Sequence, residues 1–378
     1  MEFEKELKVT KTNIPGLLVF DLPVHSDNRG WFKENWQKAK MTALGLPTDF
    51  QWPIPLEESE RSEADLHHPI LKDAKPMVLR RTLVTGANGQ LGRAIREYVQ
   101  EHGLEGFEFT DIDEFDFSDP AAYAQIDWSL YGTIINAGAY TAVDKAETPE
   151  GRAGAWKANA QGPALLAKTA TEHNLTLVHI SSDYVFDGVA QVHDEEEPFA
   201  PLGMYGQTKA AGDIAVATAP KHYILCSSWV IGDGHNFVKT MISLSDRVAD
   251  PNEALEQVTV VDDQIGCLTF TQDMARAIFF LLEREVPYGT YDLTLSRDSV
   301  SWAAIAREVF AQANGNAQAV APINTKEYFA NATVPVSSRP AYSTLDLAKI
   351  EETGVEPSDW RDELHTYVAA ARKGSGRA

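Results

Sequence analysis

Tyr205 and Lys209 stand four residues apart in YGQTK. On a helix, positions i and i+4 share a face, so this spacing sets an ammonium beside a phenol. The charge would favour the phenolate and bring a proton that ordinarily leaves near pH ~10 into use near neutrality. By itself the pattern is common and compatible with coincidence. Upstream, HISSD closes an apolar run with Ser181, Ser182 and Asp183. Open α/β sheets bind ligands at the carboxyl ends of their strands, and a serine there also serves as an ordinary cap. Further upstream, Gly86, Gly89 and Gly92 of GANGQLG follow one apolar run and open a helical stretch. Glycines admit a pyrophosphate close to the backbone, and a helix N-terminus adds amide donors and a positive dipole end. The spacing is GxxGxxG, not GxGxxG, and the absence of a following GK[ST] excludes a P-loop. Together and in this order, the three features point to carbonyl reduction. Hydride would pass from a nicotinamide to carbon, a proton from Tyr205 to oxygen, and Ser182 would hydrogen-bond that oxygen.

These residues need a scaffold, and the text from Met77 onward supplies its pattern. TLVTG, FEFTDID (107–113), GTIINAGA (132–139), LTLVHISS (175–182) and HYILCSSW (222–229) read as five strands. Helical text lies between them, including 156–174 and 204–219. The helix after the first strand puts Ile95, Tyr98 and Val99 on one face and stops at Gly103. Alternating strands and helices predict an α/β fold, a doubly wound parallel sheet of the Rossmann type. Residues 78–228 are expected to be mainly dinucleotide-binding. Residues 229–378 are expected to form a smaller C-terminal α/β substrate domain, with segments interleaved. Residues 1–77 read as an irregular N-terminal extension; 51–76 is charged and Pro-rich, an extended surface segment. Asp111 ends the second strand, where an acid meets the adenosine ribose 2′-OH or simply closes a turn. Asp111 favours NADH, whereas Arg93 suits a 2′-phosphate, so NADPH and NADH both stay open.

Composition limits the partners. The 378 residues are 44% hydrophobic and 23% charged, ordinary for a globular protein. A net charge of −22 opposes nucleic-acid binding. Cys226 and Cys267 lie in apolar text without a CxxC or a Cys/His cluster, so they read as buried free thiols and no metal site is assigned. The acidic run HDEEEP (193–198) reads as a solvated loop. MEFEKELKVTK lacks an apolar h-region, and no apolar run nears the ~20 residues that span a bilayer. No membrane is expected, and the cytoplasm is the default. The last residues, RKGSGRA, are expected to fray.

From about residue 78 to its end the chain resembles the dTDP-4-dehydrorhamnose reductases of the extended short-chain dehydrogenase/reductase superfamily. The matching text is TGANGQLG, DEFDFSDP, INAGAYTAVDKAE (135–147), HISSDYVFDG (179–188), PLGMYGQTKAAGD (201–213), SSWVIGDGHNFVKTM (227–241), VVDDQIGCLT (260–269) and SSRPAYSTLD (337–346). The resemblance implies reduction of the C4 ketone of dTDP-4-dehydro-L-rhamnose. It makes Tyr205 the acid and Lys209 its partner, which also holds the nicotinamide ribose. Ser182 stands where the family often has threonine. Asn88, Gln90, Leu91, Asp116 and Phe117 would border the cofactor, with Ala137, Gly138 and Ala139 along its path. Asp183 and Trp229 would border the sugar ring. Val143, Asn236, Gln264 and Arg339 would lie on the nucleotide-sugar side, Arg339 suiting the pyrophosphate by charge. Trp229 as core, Arg339 as an ion pair and Asn236 as a helix cap are the plainer alternatives. Other nucleotide-sugar reductases or epimerases of the superfamily, and a non-enzymatic regulatory subunit with a retained cofactor pocket, are the rival functions; the intact Ser182/Tyr205/Lys209 set argues against the last.

The N-terminal text is different. TNIPGLLVFDLPVHSDNRGWFKENW (12–36) resembles the opening of dTDP-4-dehydrorhamnose 3,5-epimerase, with Asp27, Arg29, Gly30, Phe32 and Glu34 in its D-x-R-G-x-F-x-E pattern. Residues 51–74 resemble that enzyme's closing tail, and Phe50 runs directly into Gln51 where its jelly roll should stand. The stretch is expected to pack as a strand or arm on the reductase part or on a second copy of the chain, which leaves a homodimer open. The chain should have no epimerase activity. Incubated in D₂O with the 4-keto sugar, it should wash no deuterium into C3 or C5; wash-in by this chain alone would show a working epimerase base.

Overall fold

Successive side chains of a strand face opposite ways, so two adjacent apolar residues need cover on both sides. Leu83 and Val84, Ile134 and Ile135, Leu177 and Val178, and Ile224 and Leu225 are all buried. Such strands belong in a parallel sheet with helices on both faces. The computed structural model has that sheet; it describes residues 8–11, 18–21, 24–27, 30–33 and 80–374 except 297. Six strands make it: β1 Arg81–Thr85, β2 Phe107–Thr110, β3 Tyr131–Asn136, β4 Thr176–Ile180, β5 His222–Cys226 and β6 Gly289–Asp292. All pairings are parallel, in the order β6-β5-β4-β3-β1-β2.

The helices that cover the sheet and build the second lobe include α1 Gln90–Glu101, α2 Pro149–Trp156, α3 Gly162–His173, α4 Met204–Val216, α5 Phe237–Ala249, α6 Thr271–Glu283 and α7 Trp302–Asn314. Adjacent residues of each strand feed two separate cores. Val84, Val178 and Leu225 pack with Ile95 of α1 and Met274 and Ile278 of α6. Leu83, Leu177 and Ile224 pack on the other face with Leu166 of α3 and Val216 of α4. The sheet is therefore doubly wound. Its direction of winding reverses between β1 and β3, and the crevice there is where ligands bind in such sheets.

The smaller C-terminal lobe has its own core, in which Val238 and Met241 of α5 meet Ile305, Val309 and Phe310 of α7 and Trp360, Leu364 and Val368 of the last helix, Trp360–Gly374. Its strands are short: Val258–Val261 runs parallel with Val320–Ile323, and Ile265–Gly266 lies between Val300–Ser301 and Tyr342–Ser343. No helix among the described residues is long and apolar enough to cross a membrane.

Several expectations change. The sheet has a sixth strand, β6, whose GTYD carries too few apolar residues to stand out in the sequence. The helical text at 156–174 begins earlier, at Pro149, where Thr148 caps the helix by accepting the Gly151 N–H at 3.1 Å. Between α2 and α3 the chain widens to a π-helical turn over Lys157–Gln161. The HDEEEP run is a loop with Asp194, Glu196 and Pro198 exposed, as expected, but two of its side chains turn inward. His193 is wholly buried, stacked on Phe186 at 4.8 Å, while Glu195 accepts the Asp292 N–H of β6 at 2.8 Å. Cys226 and Cys267 are free and buried, as read. The last helix continues into the stretch expected to fray; residues 375–378 lie outside the described part. In the N-terminal region expected to be irregular, Lys8–Lys11 pairs antiparallel with Leu18–Asp21, and Val24–Asp27 with Gly30–Lys33. The rest of the epimerase-like text, including Arg29, Glu34 and 51–74, lies outside the described residues.

Asp292 ends β6 with a wholly buried side chain. Neither carboxyl oxygen meets an N–H or O–H donor, and the weak donor thiol of Cys226 stands beside them. Burial pushes its pKa up to about 9 from an ordinary 3.8, Glu195 adds to the rise and Cys226 offsets part of it. A raised folded-state value means that stability is fully present below the unfolded pKa and is lost as pH rises towards the folded one. Asp292→Asn should therefore melt with the wild type near pH 4 and above it at pH 8. The gain should grow by at most about 1.4 kcal/mol per pH unit; equal melting temperatures at pH 8 would show that the carboxyl is not held neutral.

Candidate active site

The turn after β1 is built by exclusion. Gly86 has φ +68°, and a Cβ there would lie 2.5 Å from the Cα of Gly138, beyond β3. At Gly92 a Cβ would lie 2.3 Å from the Gly86 carbonyl oxygen. These glycines bring the turn, the start of α1 and the end of β3 together at the reversal point of the sheet. The N-terminus of α1 carries no side-chain cap and no acid in its first turn. Its amides and dipole are thus free for an anion. Asp111 shapes the turn from β2, accepting the Asn88 N–H at 2.7 Å and the Ile112 N–H at 2.8 Å. A tight, uncapped, glycine-lined turn of this kind fits a dinucleotide pyrophosphate.

A cavity of about 890 Å³ runs from this turn along the carboxyl edge of the sheet. At its middle stand Ser182, Tyr205 and Lys209. Ser182 follows β4 and donates its hydroxyl to Asp183 Oδ1 at 2.9 Å. Tyr205 and Lys209 lie one turn apart on α4. Tyr184 packs edge-on against Tyr205, with ring centroids 5.4 Å apart. Burial raises the Tyr205 phenol well above its ordinary pKa; Ser182 opposes the rise, and Asp183 and Asp213 add to it. Asp183 is itself pushed up to about 6 by burial, against the Ser343 and Ser182 hydroxyls. Among the described residues no hydrogen bond joins the Lys209 ammonium to the phenol, one helical turn away. The side chain is only 2% exposed, donates from Nζ to the Ile180 carbonyl and stands 3.4 Å from His179 Nε2. Burial lowers its pKa, and Asp213 opposes that.

The far end of the cavity is aromatic. Trp229 stacks on Trp302 at 3.8 Å, and Trp302 meets Phe237 at 4.5 Å. Trp229 has φ +48°, a costly left-handed conformation for a bulky residue. Gly266 makes room for it, since a Cβ there would lie 2.8 Å from the indole. Asn236 both caps α5, accepting the Lys239 N–H at 3.0 Å, and lines the cavity. Two side chains of α1 reach the loop before it. Gln90 accepts the Gly232 N–H at 2.8 Å, and Arg93 donates to the carbonyls of Asn88 and Asp233.

Most of the residues read from the sequence come together here. Gly86, Gly89, Gln90 and Leu91 line the cavity, as do Asp111, Asp116 and Phe117. So do Ala137, Gly138 and Ala139 and, towards the other end, Val143, Asp183, Trp229 and Asn236. Four residues do not line it. Asn88 turns its N–H to Asp111, and Gly92 is spent on packing under the turn. Gln264 donates to Thr325 Oγ1 at 2.9 Å. Arg339 grips Asp144 with two bonds of 2.8 Å and lies over the Phe329 ring, so its charge is already matched. Burial alone would raise Asp144, but Arg339 and the Ser337 N–H hold it below the usual carboxylate range.

Sequence reasoning missed Trp302 and Phe237, which reach the cavity through packing within the second lobe. It also missed Asn159. This buried residue sits in the π-helical turn, accepts the Tyr140 N–H at 2.8 Å and donates to the Tyr140 carbonyl at 3.0 Å. An asparagine inside helical text was the signal that could have found it.

Known proteins share this sequence pattern and this fold. The family model of the RmlD substrate binding domain matches residues 80–373. A dTDP-4-dehydrorhamnose reductase of Aggregatibacter actinomycetemcomitans is 36% identical over 308 residues, covering 78% of this chain and all of that protein. The crystal structure of a dTDP-4-dehydrorhamnose reductase from Clostridium acetobutylicum superposes with a TM-score of 0.69 at 35% identity, covering 77% of this chain and 99% of that one. A Bacillus anthracis dTDP-4-dehydrorhamnose reductase solved in complex with NADP gives 0.68 at 31% identity, again over 77% and 99%.

The turn can be tested directly. Gly86→Ala should lower the melting temperature, since the left-handed conformation alone costs about 1–2 kcal/mol. It should also weaken NADPH binding, measured by fluorescence titration, by at least about tenfold. Unchanged affinity would remove this turn from the cofactor site.

Proposed function

The chain belongs to the family of the RmlD substrate binding domain, and on that premise we propose that it reduces the C4 ketone of dTDP-4-dehydro-L-rhamnose to dTDP-L-rhamnose. The observation that carries this reading is the convergence of Ser182, Tyr205 and Lys209 on one cavity that begins at an uncapped Gly-rich helix start. NADPH or NADH, when bound, supplies the hydride. Gly86, Gly89, Gln90 and Leu91 would hold its pyrophosphate end, and Asp116 and Phe117 with Ala137, Gly138 and Ala139 would flank the rest.

Tyr205 is the acid. Burial keeps its phenol protonated at neutral pH, the form required for giving a proton to a ketone oxygen. The proton leaves as negative charge develops on that oxygen, and the ketone becomes an alcohol. Ser182 hydrogen-bonds the same oxygen once its hydroxyl rotates away from Asp183. Lys209 stabilises the phenolate left behind. Val143, Asp183, Trp229 and Asn236 border the sugar end, where the stacked indoles offer a flat apolar face to a deoxy sugar.

Oxidation of NADPH or NADH with dTDP-4-dehydro-L-rhamnose, followed at 340 nm, tests the reaction. Tyr205→Phe should lower kcat by about 10²–10⁴ while leaving NADPH affinity nearly unchanged. Turnover near the wild-type level would remove Tyr205 as the acid, and a wild type active only on a different nucleotide sugar would overturn the substrate.

A further inference from the structure

Tyr205, Lys209 and Asp213 recur every fourth residue on α4, and all three are buried. We infer that Asp213 is the counter-ion that keeps Lys209 charged inside the fold, and so is a positioning residue for proton transfer from Tyr205. The inference rests on the reductase reading and assigns the duty of a residue that does not line the main cavity.

A chain of hydrogen bonds fixes the arrangement. Asn136 Oδ1 accepts the Thr85 hydroxyl at 2.7 Å and the Gly138 N–H at 3.2 Å. Its amide nitrogen therefore points the other way and donates to His179 Nδ1 at 3.0 Å. That leaves the imidazole hydrogen on Nε2, which stands 3.4 Å from Asp213 Oδ1 and 3.4 Å from Lys209 Nζ. A ring N–H cannot accept from an ammonium, so Lys209 donates to the Ile180 carbonyl instead. Asp213 Oδ2 accepts the Ser181 hydroxyl, while Oδ1 has no hydrogen-bond partner of its own. The carboxylate is thus oriented by Ser181, and its other oxygen faces His179 Nε2 one helical turn from Lys209.

The other titratable groups around the ammonium do not supply that charge. His179, from β4, is kept neutral by burial and then by Lys209, which bring it to about 4. Tyr205, from α4, and Cys226, from β5, are both raised by burial and stay protonated at neutral pH. Asp183, after β4, spends its Oδ1 on Ser182. An ammonium buried without an anion sheds its proton, and a neutral Lys209 would neither stabilise a phenolate nor hold a cofactor hydroxyl as a cation.

The test is Asp213→Asn, which keeps the shape and an acceptor for Ser181 but removes the charge. NADPH affinity, read by fluorescence between pH 6 and 9 without substrate, should fall with rising pH in the variant, with a midpoint at least about one unit below that of the wild type. Turnover of the keto sugar should be depressed at pH 8 and recover towards the wild-type value at pH 6. Asp213→Glu should restore the wild-type profile. A variant whose affinity runs parallel to the wild type at every pH, whether equal or uniformly lower, overturns the inference and leaves Asp213 a packing residue. If Asp213→Asn does not fold, the double variant Lys209→Met/Asp213→Asn, which removes charge and counter-charge together, should be more stable than the single; no gain would also overturn it. A wild type inert towards the keto sugar would refute the reductase reading, while the NADPH profile would still judge Asp213.

Discussion

Nothing larger than a hydrogen atom fits between the turn after β1 and the end of β3. Much of the site follows from this steric constraint. Gly86 and Gly138 let the two backbones meet at the one place where the winding of the sheet reverses. The meeting sets the direction in which α1 leaves the sheet, and with it the direction of the unpaired amides at the N-terminus of α1. It also fixes Asn136, one strand residue away from the contact, through the Gly138 N–H. From Asn136 the same geometry passes to His179. A backbone requirement at the cofactor end is in this way connected to the side chains beneath the catalytic helix.

The proton chemistry depends on burial more than on neighbouring charge. Tyr205, Lys209, His179 and Cys226 are all shifted towards their neutral forms by the loss of water. A site of this kind keeps the acid loaded until a substrate arrives. It also raises the effect of any single fixed charge, since the surrounding dielectric is low.

The sequence revealed the motifs and the sheet because both are local. Four of the six central strands hold runs of adjacent apolar residues, a pattern that parallel sheets require, and β2 alternates instead. Gly86, Ser182, Tyr205 and Lys209 stood in short segments whose spacing carries its own physical meaning. What escaped was long-range. β6 is recognisable only by its partner β5. Trp302 reaches Trp229 across some seventy residues of chain through packing in the second lobe. Arg339 offered the right charge for a phosphate, but Asp144, almost two hundred residues upstream, had already claimed it. The acidic run at 193–198 was legible in part: composition gave its solvated polarity but not the pocket that takes in His193.

Gln90 and Arg93 belong to the helix that begins at the cofactor turn, yet their polar ends rest on the backbone of residues 232–233, just before Asn236 and the sugar end. The two halves of the cleft are therefore fastened to each other by residues that also line the cavity. Were α1 to shift on seating a nucleotide, these bonds would carry the shift to that loop, and a shift of the loop would return by the same bonds. Thermodynamic reciprocity then applies: whatever the first ligand does to the affinity of the second, the second does equally to the first. By these bonds the cleft is built as one unit with two ends.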